Sequence, residues 1–564
     1  MLGSLDRSGV VLVAMVAIAQ CLPLWQPHWF DSHESYSYVL RVVEFEAALR
    51  QGDLYPRWAS DFYAGYGSPF FVFYAPLVFA GGAALSALLG SAVGGLKLWI
   101  VLASVASGAG VYTAVKAETQ RADAALLAAL VYLASAYRLG DIYVRGDIAE
   151  YTALALLPWA VAAYRSVARS LSTQVAARRA ARAVGMHAAL LFSHAVVGLW
   201  GTLLLAVLCL GTSYALWQRR AFRHVALLGV AFALALGVSA AYTGPALLEK
   251  AQVHIAVART GYYEPSNQLL ALERLLENGQ FGILPAVLAA LLLALVAAGL
   301  RRKARLALIW AVASAGFAWL STRRAEAFWQ LPIPLLSFIQ FPWRLHGLSA
   351  LAAAIGLGLA WAALFRQGSW RDASALLLGS CALLVSAPSC RVTRPLAAGS
   401  FPETTGEIRS GIYHTTAGEY LPLAVAAAPT AAASALVSSS LHVQTKRAWS
   451  HGSVHELDVV ADAPSAAELT LHMFPGWRVD TLAGPAAASL ATSQAGLVLL
   501  RLPTAGSYRL RLSFGSSPAR AFCGASSLAL ACATWPLLRR IANKRAPRVA
   551  TPRTVQHQQP RAAA

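Results

Sequence analysis

A multi-pass helical membrane domain of about twelve spans, followed by an outer β domain and one last membrane helix, is the architecture this sequence predicts. Three observations carry it. The 564-residue chain is 57% hydrophobic and only 13% charged, with mean hydropathy +0.53, far from a soluble globular composition. Apolar runs able to cross ~30 Å of hydrocarbon recur, at 9–24, 96–115, 196–216, 281–299 and 521–537 among others. Between 389 and 520 the character changes to Ser, Thr, Pro and Gly punctuation with period-two alternation.

The first run reads as a retained membrane helix rather than a cleaved signal peptide, because its n-region has only Arg7, offset by Asp6. An outer loop over 26–95 follows. Within it Tyr36, Val39, Val43 and Ala47 recur at helical spacing, so 33–50 reads as a helix lying on the membrane surface. The apolar stretch 70–90 is placed along or dipping into the outer face. A full crossing there would put the Arg165–Arg182 cluster outside, against the tendency of basic loops to stay in the cytoplasm.

The net charge of +20 follows the same logic. Arginines and lysines cluster at 165–182, 219–223, 301–305 and 539–548, between apolar runs, which marks cytoplasmic loops and not nucleic-acid binding. Both termini are then cytoplasmic. The outer segments are 26–95, 138–150, a turn at His194, 243–279, 321–343 and 389–520.

Domain bounds follow: a transmembrane domain over 1–388, an extracytoplasmic β domain over 389–520, a membrane helix over 521–538 and a basic disordered tail over 539–564. The β domain is expected to be a sandwich, with strands at 455–461, 467–474 and 496–502 and with Tyr508, Leu510, Leu512 and Phe514 opposite Arg509 and Arg511. Turns are expected at Pro475-Gly476 and Thr504-Ala505-Gly506. The six cysteines have no metal or disulfide spacing, and no fixed-period repeat is visible.

Asp31, His33 and Glu34 stand just outside the first helix, within one turn of each other, a grouping that suits a general base near an incoming hydroxyl or a divalent cation. The competing reading is a helix cap at Asp31 with Glu34 three residues on. A second constellation, Asp141, Arg145, Asp147 and Glu150, sits in GDIYVRGDIAEY. Arg145 offers a planar fork for a phosphate, or else Asp147 caps the next helix with Arg145 as its partner. His194 in LFSHAVVG and Arg344 in FIQFPWRL lie at the same outer level, as substrate-binding or interfacial residues. Glu264, Glu273, Glu277 and Glu419 are outer carboxylates without an assigned role, and Gly65 and Gly67 allow close backbone approach. The assigned spans hold almost no ionisable residues, against an ion-coupled transporter.

The DSHE start of the outer loop, LYPRW, GYGSPFFVFYAPL, DIYVRGDIAEYTALALLPW, SHAVVGLW, IQFPWRL, GEYLP and MFPGWRVD together resemble a bacterial membrane family labelled "6-pyruvoyl-tetrahydropterin synthase-related". The label does not imply pterin chemistry, which needs a soluble metal site. The architecture looks like the GT-C class of membrane glycosyltransferases, whose members transfer a sugar from a polyprenyl-phosphate carrier. That resemblance implies Asp31 as the leading catalytic residue, with Asp141, Asp147 and Glu150 as further acidic candidates. His33, Glu34, Arg145, His194 and Arg344 are expected around the substrate, with Arg145 or Arg344 on the leaving phosphate. The Asp31-Ser32-His33-Glu34 run departs from a DxD pattern, so a divalent cation, if used, falls to Asp31 and Glu34. The expected enzyme transfers a hexose or pentose to an envelope glycan or protein at the outer face of a bacterial inner membrane. Its partners are membrane lipid and a lipid-linked sugar, with no nucleic acid. The rival expectation is a non-catalytic envelope assembly protein or a lipid-linked sugar flippase.

Overall fold

The computed structural model of the chain describes residues 4–34, 36–277, 280–300, 304–333, 336–365, 369–386, 394–397, 399–411, 413, 417–431, 436–437 and 443–543. Cys390 and most of the expected basic tail lie outside these residues. Helices dominate up to Ser386, strands occupy Val443–Phe514, and the helix Pro518–Asn543 ends the described chain.

Five helices among the described residues are long and apolar enough to cross a membrane: Ala92–Thr119, Ala195–Gln218, Phe222–Gln252, Pro342–Leu364 and Pro518–Asn543. The pair Ala122–Leu133 and Ala136–Arg145, bent by 42°, makes a sixth if it counts as one span. This count, by length and composition, does not reach the twelve expected. Ser4–Gln20 and Leu284–Leu300 have 17 residues each and Arg305–Leu320 has 16. At 1.5 Å per residue these reach only about 25 Å of a ~30 Å hydrocarbon layer. Thr173–Ser193 carries Arg178, Arg179 and Arg182 within its length. The 70–90 stretch divides at Pro76 into Phe70–Phe73 and Leu77–Leu89, the longer of 13 residues. That is about 20 Å, too short to cross.

Small residues let the bundle pack closely. A Cβ on Gly358 would sit 2.9 Å from the Ala124 carbonyl oxygen, so these two helices touch through their backbones. At one end of Ile148–Ala168 stand Asp147 and Glu150; at the other Arg165 and Arg169 share Glu118, with Arg165 Nε 2.7 Å from Oε1. The acidic constellation and the basic cluster thus lie roughly 30 Å apart along a 21-residue helix.

The surface helix of the first loop forms as Ser37–Arg50, but its environment differs from expectation. Tyr38, Val39, Leu40, Arg41, Val42, Glu44 and Phe45 are buried, while Tyr36, Val43 and Ala47 are only partly covered. Protein packs over it: Phe45 meets Phe71 edge-on at 5.1 Å, and Tyr36 stacks on Phe401 at 5.8 Å. Spacing revealed the helix and one apolar stripe; cover on a second side decided what became core. Nor do Asp31 and Glu34 cap this helix, since the residue before it is Tyr36 and no side chain caps there.

Glu44 on this helix is buried beside Asp61, accepting hydrogen bonds from the Asp61 backbone N–H at 2.9 Å and the Ser60 hydroxyl at 3.2 Å. Burial, reinforced by the Asp61 charge, pushes its carboxyl up to about 8. The folded state therefore binds more protons than the unfolded one, and stability falls as pH rises from about 4.5 towards 8. Glu44→Gln keeps the acceptor oxygen and removes the charge. It should raise the melting temperature at pH 8, by about 1–3 kcal/mol of stability, and lose that advantage near pH 4.5. An equal effect at both pH values would show the carboxyl to be unshifted.

The β domain is a two-sheet sandwich. One sheet has the order β1 (Val443–His451), β2 (Val454–Ala461), β7 (Gly506–Phe514), β4 (Trp477–Ala483); the other has β3 (Ser465–His472), β6 (Leu497–Leu502), β5 (Ser489–Thr492). All pairings are antiparallel. Tyr508, Leu510 and Leu512 point into the core, while Arg509 and Arg511 face out to Asp458 and Glu456. The strands begin at Val443, whereas 389–520 was expected as one β unit. The chain before them is laced to loops of the helical domain, with Leu396 N–H donating to the Trp29 carbonyl and Leu423 N–H to that of Gln252. Trp58, Val72 and Phe73 of the first loop are buried in the sandwich's own core, which fixes the domain over that loop. Gly67, at φ +79°, lets the turn press on Trp58, where a Cβ would be 2.5 Å from the indole.

Candidate active site

The two sequence constellations meet through backbone. His33 N–H donates to the Val144 carbonyl at 3.0 Å and Glu34 N–H to that of Arg145 at 2.8 Å. Between them Gly146, at φ +67°, faces Ser32, whose Oγ would lie 2.2 Å from any Cβ there. Only glycine permits this seam. Asp141–Arg145 forms one π-helical turn, a wide turn common at functional positions, and it brings Arg145 back onto Asp141.

Arg145 is the centre of a buried network. Its guanidinium binds Asp141, reaches Asp147 Oδ2 at 3.0 Å and Glu150 Oε2 at 2.9 Å, and donates to the Tyr137 hydroxyl at 3.2 Å. Its face lies over Trp343 at 4.8 Å. Asp147 also caps Ile148–Ala168, accepting from Glu150 N–H at 3.1 Å and from the Tyr38 hydroxyl at 2.8 Å. The capping reading of Asp147 is realised, with Arg145 as its partner.

His194 caps Ala195–Gln218, its Nδ1 accepting from Val197 N–H at 3.1 Å. In the neutral ring Nε2 then carries the proton. Arg344 Nη1 lies 3.2 Å from that Nε2, donor against donor, and Arg344 Nε makes no hydrogen bond to a described residue. Its charge is balanced at longer range, by Glu150 Oε2 at 3.4 Å and Asp147 Oδ2 at 3.6 Å. Burial lowers His194 to about 4, against the pull of Asp147, so its ring is neutral at pH 7. Burial also works against ionised Asp147, but the cations around it, Arg145 and Arg344 with His194 when protonated, hold its carboxyl below the usual range.

These groups border a cavity of about 410 Å³, walled by His33, Glu34, Arg41, Arg145, His194 and Arg344 together with Tyr263 and Glu419. A second cavity of about 450 Å³ shares Phe73, Ala195, Val196, Tyr242, Gln340, Glu419 and Tyr420 with the first. Its remaining wall is mostly apolar, with Leu191, Leu199, Leu236, Leu247 and Ile255, and with Lys250 and Arg259 both over the Phe338 ring.

The structure thus gathers Asp141, Arg145, Asp147, Glu150, His194 and Arg344 into one cluster and puts His33 and Glu34 in the cavity wall. Asp31 is in neither cavity wall; its N–H donates to the Arg394 carbonyl at 2.8 Å beside the site. Arg41, Tyr38 and Tyr137 were not singled out from sequence. Arg41 pairs with Glu34 at 3.2 Å and sits among Tyr38, Phe70 and Tyr74, and an arginine inside an otherwise apolar helix stripe was its available signal.

Asp147, Glu150 and His194 have ligand atoms within 4.8 Å of one another, the spacing of a metal site. The donor set does not fit a divalent cation. Both carboxylate oxygens that face His194 and Arg344 already carry Arg145 at 2.9–3.0 Å, so an ion there would stand beside two guanidinium charges.

Fold and site define a polytopic membrane protein with a charged cavity at one end of its helical bundle, joined to an apolar one. Residues 71–391 match the membrane-protein family described as 6-pyruvoyl-tetrahydropterin synthase related domain, and the chain belongs to that family. No curated protein matches the sequence. Among solved structures, the chain is similar to the Archaeoglobus fulgidus oligosaccharyltransferase in its apo form, at 13% identity and TM-score 0.43 over 74% of this chain and 61% of that one. The same enzyme tethered to an acceptor peptide containing the NVT sequon gives 13% identity and TM-score 0.46 over 74% and 60%. Its complex with an inhibitory peptide and a dolichol-phosphate gives 14% identity and TM-score 0.41 over 74% and 61%. The chain spans about three fifths of that enzyme's length, and the functional reading rests on the site itself.

Proposed function

We propose that this chain is a membrane glycosyltransferase that moves a hexose or pentose from a polyprenyl-phosphate carrier to an envelope glycan or protein at the outer face of a bacterial inner membrane. The observation that carries the reading is the pair of cavities with a common wall, one polar and holding Arg344, the other apolar. A lipid-linked sugar has the same division: a long hydrocarbon chain, an anionic link and a polar head. The apolar cavity takes the first isoprene units, Arg344 faces the phosphate, and the sugar and acceptor occupy the polar cavity.

The resemblance implied Asp31 as the leading catalytic residue, the base for the acceptor hydroxyl, and Asp31 lies in neither cavity wall. A purified sample in lipid, given labelled polyprenyl-phosphate sugars and membrane extract, should yield a product of inverted anomeric configuration. Leu236→Trp, which fills the apolar cavity, should raise the KM for long-chain donors about tenfold and leave short-chain donors nearly unchanged. Equal effects on both would remove the chain from that cavity. Donor binding without transfer, in a sample shown to be folded, would favour a flippase or assembly role instead.

A further inference from the structure

We infer that Glu419, in the GEYLP segment ahead of the β domain, is the base that takes the acceptor's proton in this transfer; the assignment rests on the reading above. Two carboxylates line the polar cavity, Glu34 and Glu419. Glu34 is held by Arg41 at 3.2 Å, and the nearby Asp147 and Glu150 are held by Arg145 at 3.0 and 2.9 Å. A carboxylate fixed by a guanidinium is a weakened base, because protonation must give up that pairing. Glu419 makes no ion pair among the described residues, and its Oε2 is buried and accepts no hydrogen bond from any of them.

Position supports the same role. Glu419 lines both cavities, on the wall they share, and in the reading above that wall lies between the lipid's hydrocarbon chain and the sugar. The segment is anchored rather than loose: Tyr420 stacks on Phe73 at 5.4 Å with 2° between ring planes, and His254 N–H donates to the Leu421 carbonyl at 3.1 Å. A base needs such fixed placement within hydrogen-bond reach of the hydroxyl.

In the step, the acceptor oxygen forms a bond to the anomeric carbon as the bond from that carbon to the phosphate oxygen breaks. The electron pair leaves on the phosphate, opposite Arg344, and the hydroxyl proton moves to Glu419 Oε2. The carboxyl returns that proton to water when products depart.

The test uses the full-length protein in lipid nanodiscs with undecaprenyl-phosphate hexose and pentose donors, membrane extract as hydroxyl acceptor, and azide as an alternative nucleophile. Azide has no proton to lose. Glu419→Gln should reduce kcat for hydroxyl transfer about 100-fold or more while azide transfer stays within about threefold of wild type. Glu419→Asp should recover part of the rate. Equal loss of both reactions in a Glu419→Gln sample that melts like wild type would make Glu419 a binding or structural residue and overturn the assignment. Selective loss of hydroxyl transfer in Asp31→Asn, with Glu419→Gln unimpaired, would move the base to Asp31 and leave the transferase reading standing. No transfer by folded wild type from any donor would overturn both.

Discussion

Arg145→Met should leave the protein unable to accumulate in folded form, or folded with about 3–5 kcal/mol less stability, the range seen when one partner of a buried ion network is removed. Arg145 is the close partner of three buried carboxylates, with Asp147 Oδ2 at 3.0 Å and Glu150 Oε2 at 2.9 Å, and each has at most 3% of its side chain exposed. Deleting the guanidinium leaves these buried carboxyls without the cation that holds them. Arg344, at 3.4 and 3.6 Å, is too distant to substitute for it. Arg145→Lys should fall between, because an ammonium reaches one carboxylate well but cannot fork to three. Combining Arg145→Met with Asp141→Asn and Glu150→Gln should recover part of the loss, since two of the three stranded carboxyls go with it and Arg344 remains near the third, Asp147. The measurement is thermal unfolding in one detergent across the series. A single variant that melts within about 1 kcal/mol of wild type would show the network to be unimportant for stability.

Much of this arrangement was legible in the sequence, because local chemistry dictated it. Tyr508, Leu510 and Leu512 alternate with Arg509 and Arg511, and the strand faces follow that alternation. Asp147 before an apolar run reads as a helix cap, and it is one. The cavities were not legible, because their walls come from segments as far apart as Glu34, Arg344 and Glu419 and no local pattern encodes that convergence. Burial of the Ser37–Arg50 helix was missed for a related reason. Its second covered side depends on distant chain, such as Asp147, which bonds the Tyr38 hydroxyl, and the helix Thr405–Ser410 packed against it. Helix length was not legible either, because hydropathy marks apolar character without marking where a helix ends, and several apolar helices stop at 16 or 17 residues.

Arg344→Ala should reduce the rate of transfer about 10²–10³-fold with a much smaller change in donor affinity. The contrast with Arg145 decides which guanidinium serves the reaction. Arg145 spends its donors on Asp141, Asp147, Glu150 and Tyr137, and so can offer little to a ligand. Arg344 keeps its charge near Glu150 and Asp147 at 3.4 and 3.6 Å, faces a protonated His194 nitrogen, and has an Nε without a hydrogen-bond partner among the described residues. It is a cation held in place whose donors are not consumed. Such a group acts most strongly where charge grows during the reaction, on the phosphate oxygen as the glycosidic bond breaks. Because Arg344 answers that developing charge, its removal should matter less as the leaving group becomes less basic. A series of donors with progressively less basic phosphate leaving groups should therefore narrow the gap between Arg344→Ala and wild type. A gap that stays constant across the series would place Arg344 in donor binding or in structure, and would take the leaving-group role away from it.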